Sequence, residues 1–232
     1  MSATRINISM AKYDIGISGA IPERADWSEP AMDYAILEFV ALFTGLVFKY
    51  GGRIVHGCHP AFTPVILRQA RLHANHQSDR KALTLIMSNL WAKHLSPDFQ
   101  ESIADIAKFI TTKQVGGGTA DNAETRNKSL TEMRRVLVES QNIMVAIGGK
   151  MHKKDGYIPG VLEEMEMAAQ KAIPRFLIAG MGGFASEYAK ELTPKSLNNG
   201  LTDDQNALLF GTSDVGACVS VIFEQLATQK LG

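Results

Sequence analysis

Ile143-Met144-Val145-Ala146-Ile147-Gly148-Gly149-Lys150, followed after an interval by Pro159-Gly160-Val161-Leu162-Glu163-Glu164-Met165-Glu166, reads as a strand, a turn and a helix. The unbroken apolar run fits a strand buried on both faces, and such a strand needs helices above and below it. Two glycines then allow a tight turn. Gly160 opens a helical segment whose early carboxylates suit the positive end of a helix dipole. Together these pieces make one β-α unit of a parallel sheet.

The same alternation continues on either side. Upstream, strands are predicted over residues 13–18, 53–56, 82–87 and 109–112. Helices are predicted over 31–50 (closed by Gly51-Gly52), 63–75, 97–107 and 123–140. Downstream come a helix over 160–171, a strand over 174–178, a helix over 184–192 and a helical tail over 203–229 that breaks near Gly211. Strands separated by helical crossovers pair in parallel. The expected fold class is α/β, a Rossmann-like three-layer sandwich with a mostly parallel central sheet. No repeat or low-complexity linker interrupts the pattern, so residues 1–232 are expected to form a single domain. The stretch 115–121, with Gly116-Gly117-Gly118, reads as a connector or a mobile cover over a site.

Charge and composition narrow the function. Lys plus Arg and Asp plus Glu number 24 each, so the formal net charge is zero. That argues against bulk attraction to nucleic acid or to an anionic membrane. Cys58 and Cys218 form no CxxC or Cys/His metal spacing, and reduced thiols with no metal are expected. Residues 1–10 lack the apolar core of a signal peptide. The most apolar helical run, 35–48, contains Glu38 and is too short to span a bilayer. A cytoplasmic protein is expected.

Small-residue turns end four strands: Ser18-Gly19-Ala20, Gly57-Cys58-His59-Pro60, Gly148-Gly149 and Gly180-Met181-Gly182-Gly183. In open α/β sheets these carboxyl ends form the ligand crevice, where helix N-termini present free N–H groups to phosphate. The motifs GxxxxGK[ST], GxGxxG and GxSxG are absent, which disfavours P-loop phosphoryl transfer, a conventional dinucleotide dehydrogenase and an α/β-hydrolase triad. Arg134 on the preceding helix and Lys150 after the turn are candidate phosphate cations. Of Glu163, Glu164 and Glu166, helical spacing lets one or two face the crevice. The rest are ordinary surface carboxylates. His59 is placed to donate to a phosphate, but His56 and His59 have too few companions for a metal site. Glu23 and Arg24 follow the first loop, within reach of the site. Trp27 in the same loop is a candidate to stack on a base. Trp91, Met144, Met165 and Met167 are expected to pack.

On these residues the sequence resembles the SLOG superfamily. Ile147-Gly148-Gly149-Lys150 followed by Gly160-Val161-Leu162-Glu163-Glu164 looks like its Gly-Gly turn and GxxxE helix start. Arg126-Asn127-Lys128-Ser129-Leu130-Thr131-Glu132-Met133-Arg134 looks like the helix ahead of that strand. Ile17-Ser18-Gly19-Ala20, the stretch from Gly57 through Thr63 to Pro64, and Gly180-Met181-Gly182-Gly183 occupy the places of the other ligand loops. The resemblance spans residues 13–192 and implies a Rossmann-like fold. It also implies one of two activities, sensing of an NAD- or ADP-ribose-related signal or hydrolysis of a nucleotide N-glycosidic bond.

By the resemblance, Arg134 and Lys150 would bind phosphates. Glu164 would contact ribose in a sensor and be the catalytic residue in a hydrolase. Gly148, Gly149, Gly160, Gly182 and Gly183 would approach the ligand. The phosphoribohydrolases carry a compact PGGxGTxxE, whereas here residues 150–159 intervene and Val161 stands in place of the threonine. That departure bears on hydrolysis more than on binding. A third reading is an interaction subunit with a vestigial crevice. The expected partners are a small nucleotide-derived ligand, further copies of the chain in a homo-oligomer, and in antiphage defence a separate effector protein. No cofactor is expected.

Overall fold

The apolar runs pair side by side as parallel strands in the computed structural model, which describes residues 8–23, 30–74, 80–151 and 156–228. They are β1 (Asp14–Ala20), β2 (Arg53–His56), β3 (Leu83–Ser88), β4 (Ala107–Thr112), β5 (Ile143–Gly148) and β6 (Arg175–Ile178). Their order across the sheet is β4-β3-β2-β1-β5-β6. Every pair is parallel.

Alternation along each strand decides which face a residue covers. On β5, Ile143, Val145 and Ile147 join one core, and Met144 and Ala146 join the other. The first core lies under α1 (Pro30–Lys49), α2 (Thr63–His73) and α9 (Val215–Thr228). In α1, Ile36, Phe39, Val40, Phe43, Val47 and Phe48 form one buried stripe at helical spacing. Each such side chain contributes about 1.5–3 kcal/mol on burial. The second face is covered by α5 (Ala123–Glu139), α6 (Gly160–Gln170) and α7 (Phe184–Ala189). Sheet and two helical layers therefore make a Rossmann-like α/β sandwich.

The remaining helices trim the edges. They are α3 (Asn89–Ala92), α4 (Pro97–Ile103) and α8 (Asp203–Gly211), with a 3-10 turn at Pro194–Leu197. The elements differ in places from the sequence reading. Strand β1 continues through Gly19 and Ala20, because both pair with β5 at Ile147 and Gly148. The helix predicted over 97–107 ends at Ile103, because Ala107 is recruited into β4 opposite Leu83. Helix α3 was not anticipated, being a single turn capped by Ser88 Oγ, which accepts from Leu90 N–H at 3.3 Å.

Winding proceeds from β1 out to β4, then returns through α5 to place β5 beside β1. The helices after β1 and β5, α1 and α6, thus leave on opposite faces. A crevice opens at the carboxyl ends of strands where winding reverses. Here that point is β1/β5. Among the described residues no helix is long and apolar enough to cross a membrane.

Candidate ligand-binding site

At this switch point lies a cavity of about 550 Å³. One end is built by Ser18, Gly19 and Ala20 of β1, by Gly149 and Lys150 after β5, and by Gly160, Val161 and Glu164 of α6. Arg134 reaches it from α5. Toward β3 the lining is more apolar, with Met87 on β3, Trp91 on α3 and Leu130 and Met133 on α5, and Tyr157 lines the cavity ahead of α6. His56, Gly57, Cys58, His59 and Pro60 join the two ends.

The polar end is organised by a buried cluster. On the face toward α6, the end of β1 carries the small residues Gly16, Ser18 and Ala20, which leave room for carboxylates from α6. Arg134 Nη1 donates to Glu163 Oε2, and its Nε lies 3.8 Å from Glu164 Oε1. Thr131 Oγ1 donates to Glu163 Oε1 at 2.5 Å. Glu163 thus belongs to the scaffold and Glu164 to the cavity wall, while Glu166 is exposed. Burial pushes the Glu164 carboxyl up to about 7, with Glu163 adding to the rise. Arg134 and the Ser18 hydroxyl only partly oppose it. Among the described residues no hydrogen-bond partner of ordinary geometry satisfies the buried Ser18 Oγ. Helix α6 starts without a side-chain cap at Pro159, so its first N–H groups face the same end.

The His56-Gly57-Cys58-His59 turn is held by the imidazoles themselves. His56 Nδ1 is 3.0 Å from Ile17 O, and His59 N–H donates to His56 Nε2 at 3.1 Å. These contacts fix a neutral ring with the proton on Nδ1. Burial pushes His56 down to about 4. His59 falls to about 4 through burial, then through His56 and Lys150. Its Nδ1 accepts from Ala61 N–H at 3.3 Å, which leaves Nε2 as the donor. Cys58 adopts a left-handed conformation with φ of 56°. Burial pushes its thiol up to about 12, which leaves it protonated and a poor nucleophile.

The structure brings Ser18, Gly19, Ala20, Gly57, His59, Arg134, Gly149, Lys150, Gly160 and Glu164 together around one hollow. Gly148, Gly182 and Gly183 do not line it. They lie behind the turn: a Cβ on Gly183 would stand 2.7 Å from Gly148 C and from Gly149 O. The N–H of Gly149 donates to Ala20 O at 2.7 Å and its carbonyl accepts from Phe184 N–H at 3.0 Å, so this turn braces the sheet end. Thr63 heads α2 behind His59 and also lies off the cavity, its N–H donating to His59 O at 2.9 Å. Arg24 and Trp27 fall outside the described residues. Glu23 Oε2 accepts from Met151 N–H at 2.9 Å.

The Gly116-Gly117-Gly118 loop does not line this cavity. Gln114 Nε2 donates to Gly116 O at 3.1 Å and to Gly118 O at 2.8 Å, which folds the loop against the start of α5. Tyr157, Leu130 and Met133 line the cavity without having been singled out, and Trp91, expected only to pack, lines it too. For Tyr157 the available signal was an aromatic residue in the stretch between the Gly-Gly turn and the helix.

Parallel winding, a cavity at the β1/β5 reversal and a GxxxE glutamate in its wall define a Rossmann-like protein of the SLOG superfamily. Residues 10–209 match the model of the family described as SLOG cluster2, and the chain belongs to that family. One similar solved structure is titled as the X-ray structure of TM1055, a structural genomics target. It has 12% identity and a TM-score of 0.49, with 83% of this chain and 88% of that chain covered. No curated protein sequence matches significantly.

Proposed function

We propose that this protein binds a phosphorylated, nucleotide-derived ligand related to NAD or ADP-ribose, as a sensor. The observation carrying the reading is the chemistry of the polar end, where the Ser18 hydroxyl beside Glu164, the uncapped start of α6 and Lys150 meet at the switch point. Such an end suits phosphate and ribose oxygens. A volume of about 550 Å³ falls within the usual range of small-molecule sites. In this reading the chain acts in the cytoplasm as a single domain, and its signal passes through a homo-oligomer or a separate effector in antiphage defence.

A second reading is hydrolysis of an N-ribosyl bond. It is favoured by the Glu164 carboxyl, buried in the cavity wall and raised to about 7, where a general acid or base works best. One experiment separates the two. The protein is incubated with NAD, ADP-ribose, cyclic ADP-ribose isomers and nucleoside monophosphates, and both melting temperature and products are followed. A thermal shift with no product supports sensing. Release of free base supports hydrolysis, and Glu164→Gln then abolishes turnover while the protein still folds. If none of these compounds shifts the melting temperature or is consumed, both readings fail.

A further inference from the structure

A second hollow, of about 220 Å³, opens where the Gly116-Gly117-Gly118 loop meets the start of α5. Gly116, Gly117, Asn122, Glu124, Thr125 and Lys128 line it, and none of them lines the main cavity. Sites for drug-sized ligands begin at about 300 Å³, so this one suits a smaller group. Gln114 holds the carbonyls of Gly116 and Gly118, while among the described residues the N–H groups of Gly116, Gly117 and Gly118 donate to nothing. Asn122 Oδ1 accepts from Thr125 N–H at 2.9 Å, and the N–H groups of Ala123 and Glu124, in the first turn of this 17-residue helix, stay unengaged among the described residues. Thr125 supplies an observation of a different kind. It is 6% exposed, yet among the described residues its hydroxyl makes no hydrogen bond. Its Oγ1 points at the glycine loop, since a Cβ added to Gly116 or to Gly118 would stand 2.9 Å from it. A side-chain polar group this deep is ordinarily paired.

We infer that this hollow is a phosphate subsite separate from the main cavity, in which the Thr125 hydroxyl, the glycine-loop N–H groups and the start of α5 hold the oxygens and Lys128 supplies the opposing charge. It stands independently of the nucleotide reading above. The unengaged groups are donors, which selects an anion over a cation. Glu124 is the one carboxylate in the lining, and its Oε1 lies 2.6 Å from Lys128 Nζ with both side chains more than half exposed. An exposed pair of this kind is worth little. A phosphate carries about two negative charges at pH 7, so it takes the ammonium from the single charge of Glu124. Glu124 is thus a competitor of the ligand, and Lys128 is the group they share.

Amide NMR on the full chain reads both sites in one spectrum, with Gly117 and Ala123 reporting the second hollow and Gly149 and Gly160 the main cavity. At constant ionic strength, inorganic phosphate is expected to shift the Gly117 and Ala123 signals saturably. Thr125→Val removes the hydroxyl and weakens that response about tenfold, whereas Thr125→Ser retains it. Lys128→Ala weakens the response, and Glu124→Gln, an exposed change, tightens it by removing the competitor. Shifts confined to Gly149 and Gly160, full affinity in Thr125→Val, or weaker binding in Glu124→Gln overturns the subsite. Should Thr125→Val fail to fold, the opposite signs expected for Glu124→Gln and Lys128→Ala decide, and equal signs overturn it. Ribose 5-phosphate titrated alongside separates the sources of the group. A matching response of Gly117 and Ala123 supports a subsite for phosphate monoesters, and a response to the inorganic ion alone supports a subsite for free phosphate.

Discussion

Arg134 and Lys150 are two cations at one cavity, and their surroundings give them different work. The Arg134 side chain is 7% exposed and is held by Glu163, with Glu164 beside it. Truncating it strands a buried carboxylate with Thr131 as its remaining partner. Breaking one half of a buried pair costs about 3–5 kcal/mol. Lys150 is exposed at the cavity mouth and forms no ion pair among the described residues. Arg134→Ala is therefore expected to lower the unfolding free energy by about 3–5 kcal/mol, with any loss of ligand following from damage to the cluster. Lys150→Ala should change stability by less than about 0.5 kcal/mol and weaken ADP-ribose binding by about 1–3 kcal/mol. Urea titration and calorimetry on the two variants check both. Full affinity in Lys150→Ala would remove the lysine from the phosphate site.

At the scale of the element, the seam between β1 and β5 decides whether the cavity has a floor. Gly19 sits in that seam at φ of +148°, and a Cβ there would lie 2.0 Å from Ile147 O, a backbone atom that cannot step aside. Gly117, in the loop before α5, would place its Cβ in open space. Gly19→Ala should destabilise by more than about 3 kcal/mol, whereas Gly117→Ala should be neutral or stabilise by up to about 1 kcal/mol. Equal melting temperatures for the two variants would deny that Gly19 is fixed by strand pairing. The strands themselves were legible because buried parallel strands are continuous apolar runs, as in Ile143 to Ile147. A glycine turn is more ambiguous. Gly149 at the cavity and Gly183 behind it carry the same local signal, and only the packing of one turn on the other separates them. Helical spacing alone left Glu163 and Glu164 undecided, since adjacent positions differ by a rotation whose outcome depends on where Arg134 stands, and only the resemblance singled out Glu164. Tyr157 escaped notice because its segment has no periodicity to read.

For the whole molecule, the same cluster shapes stability against pH. His56 and His59 fall from 6.5 to about 4 on folding. Between those values the unfolded chain binds two protons that the folded chain refuses, so stability falls as pH drops from 6.5 toward 4. Glu164 moves the other way, from 4.5 to about 7. Across that interval the folded chain keeps a proton that the unfolded chain has released, so this group's contribution falls as pH rises from 4.5 to 7. The histidines dominate below 6.5, two protons against one, and Glu164 alone acts from there to 7. These three groups thus place maximal stability near 6.5. Gln resembles the protonated carboxyl, so Glu164→Gln should match the wild type near pH 4.5 and gain stability progressively up to pH 7, by about 3 kcal/mol at most. Urea midpoints across this range measure the gain. A constant difference between the two proteins would mean that Glu164 ionises as freely inside the fold as outside it. A bound phosphate should raise the same carboxyl further, so binding at pH 7.5 should draw a proton from solvent. Calorimetry in two buffers of different ionisation enthalpy would detect that proton, and its loss in Glu164→Gln would assign the uptake to this residue.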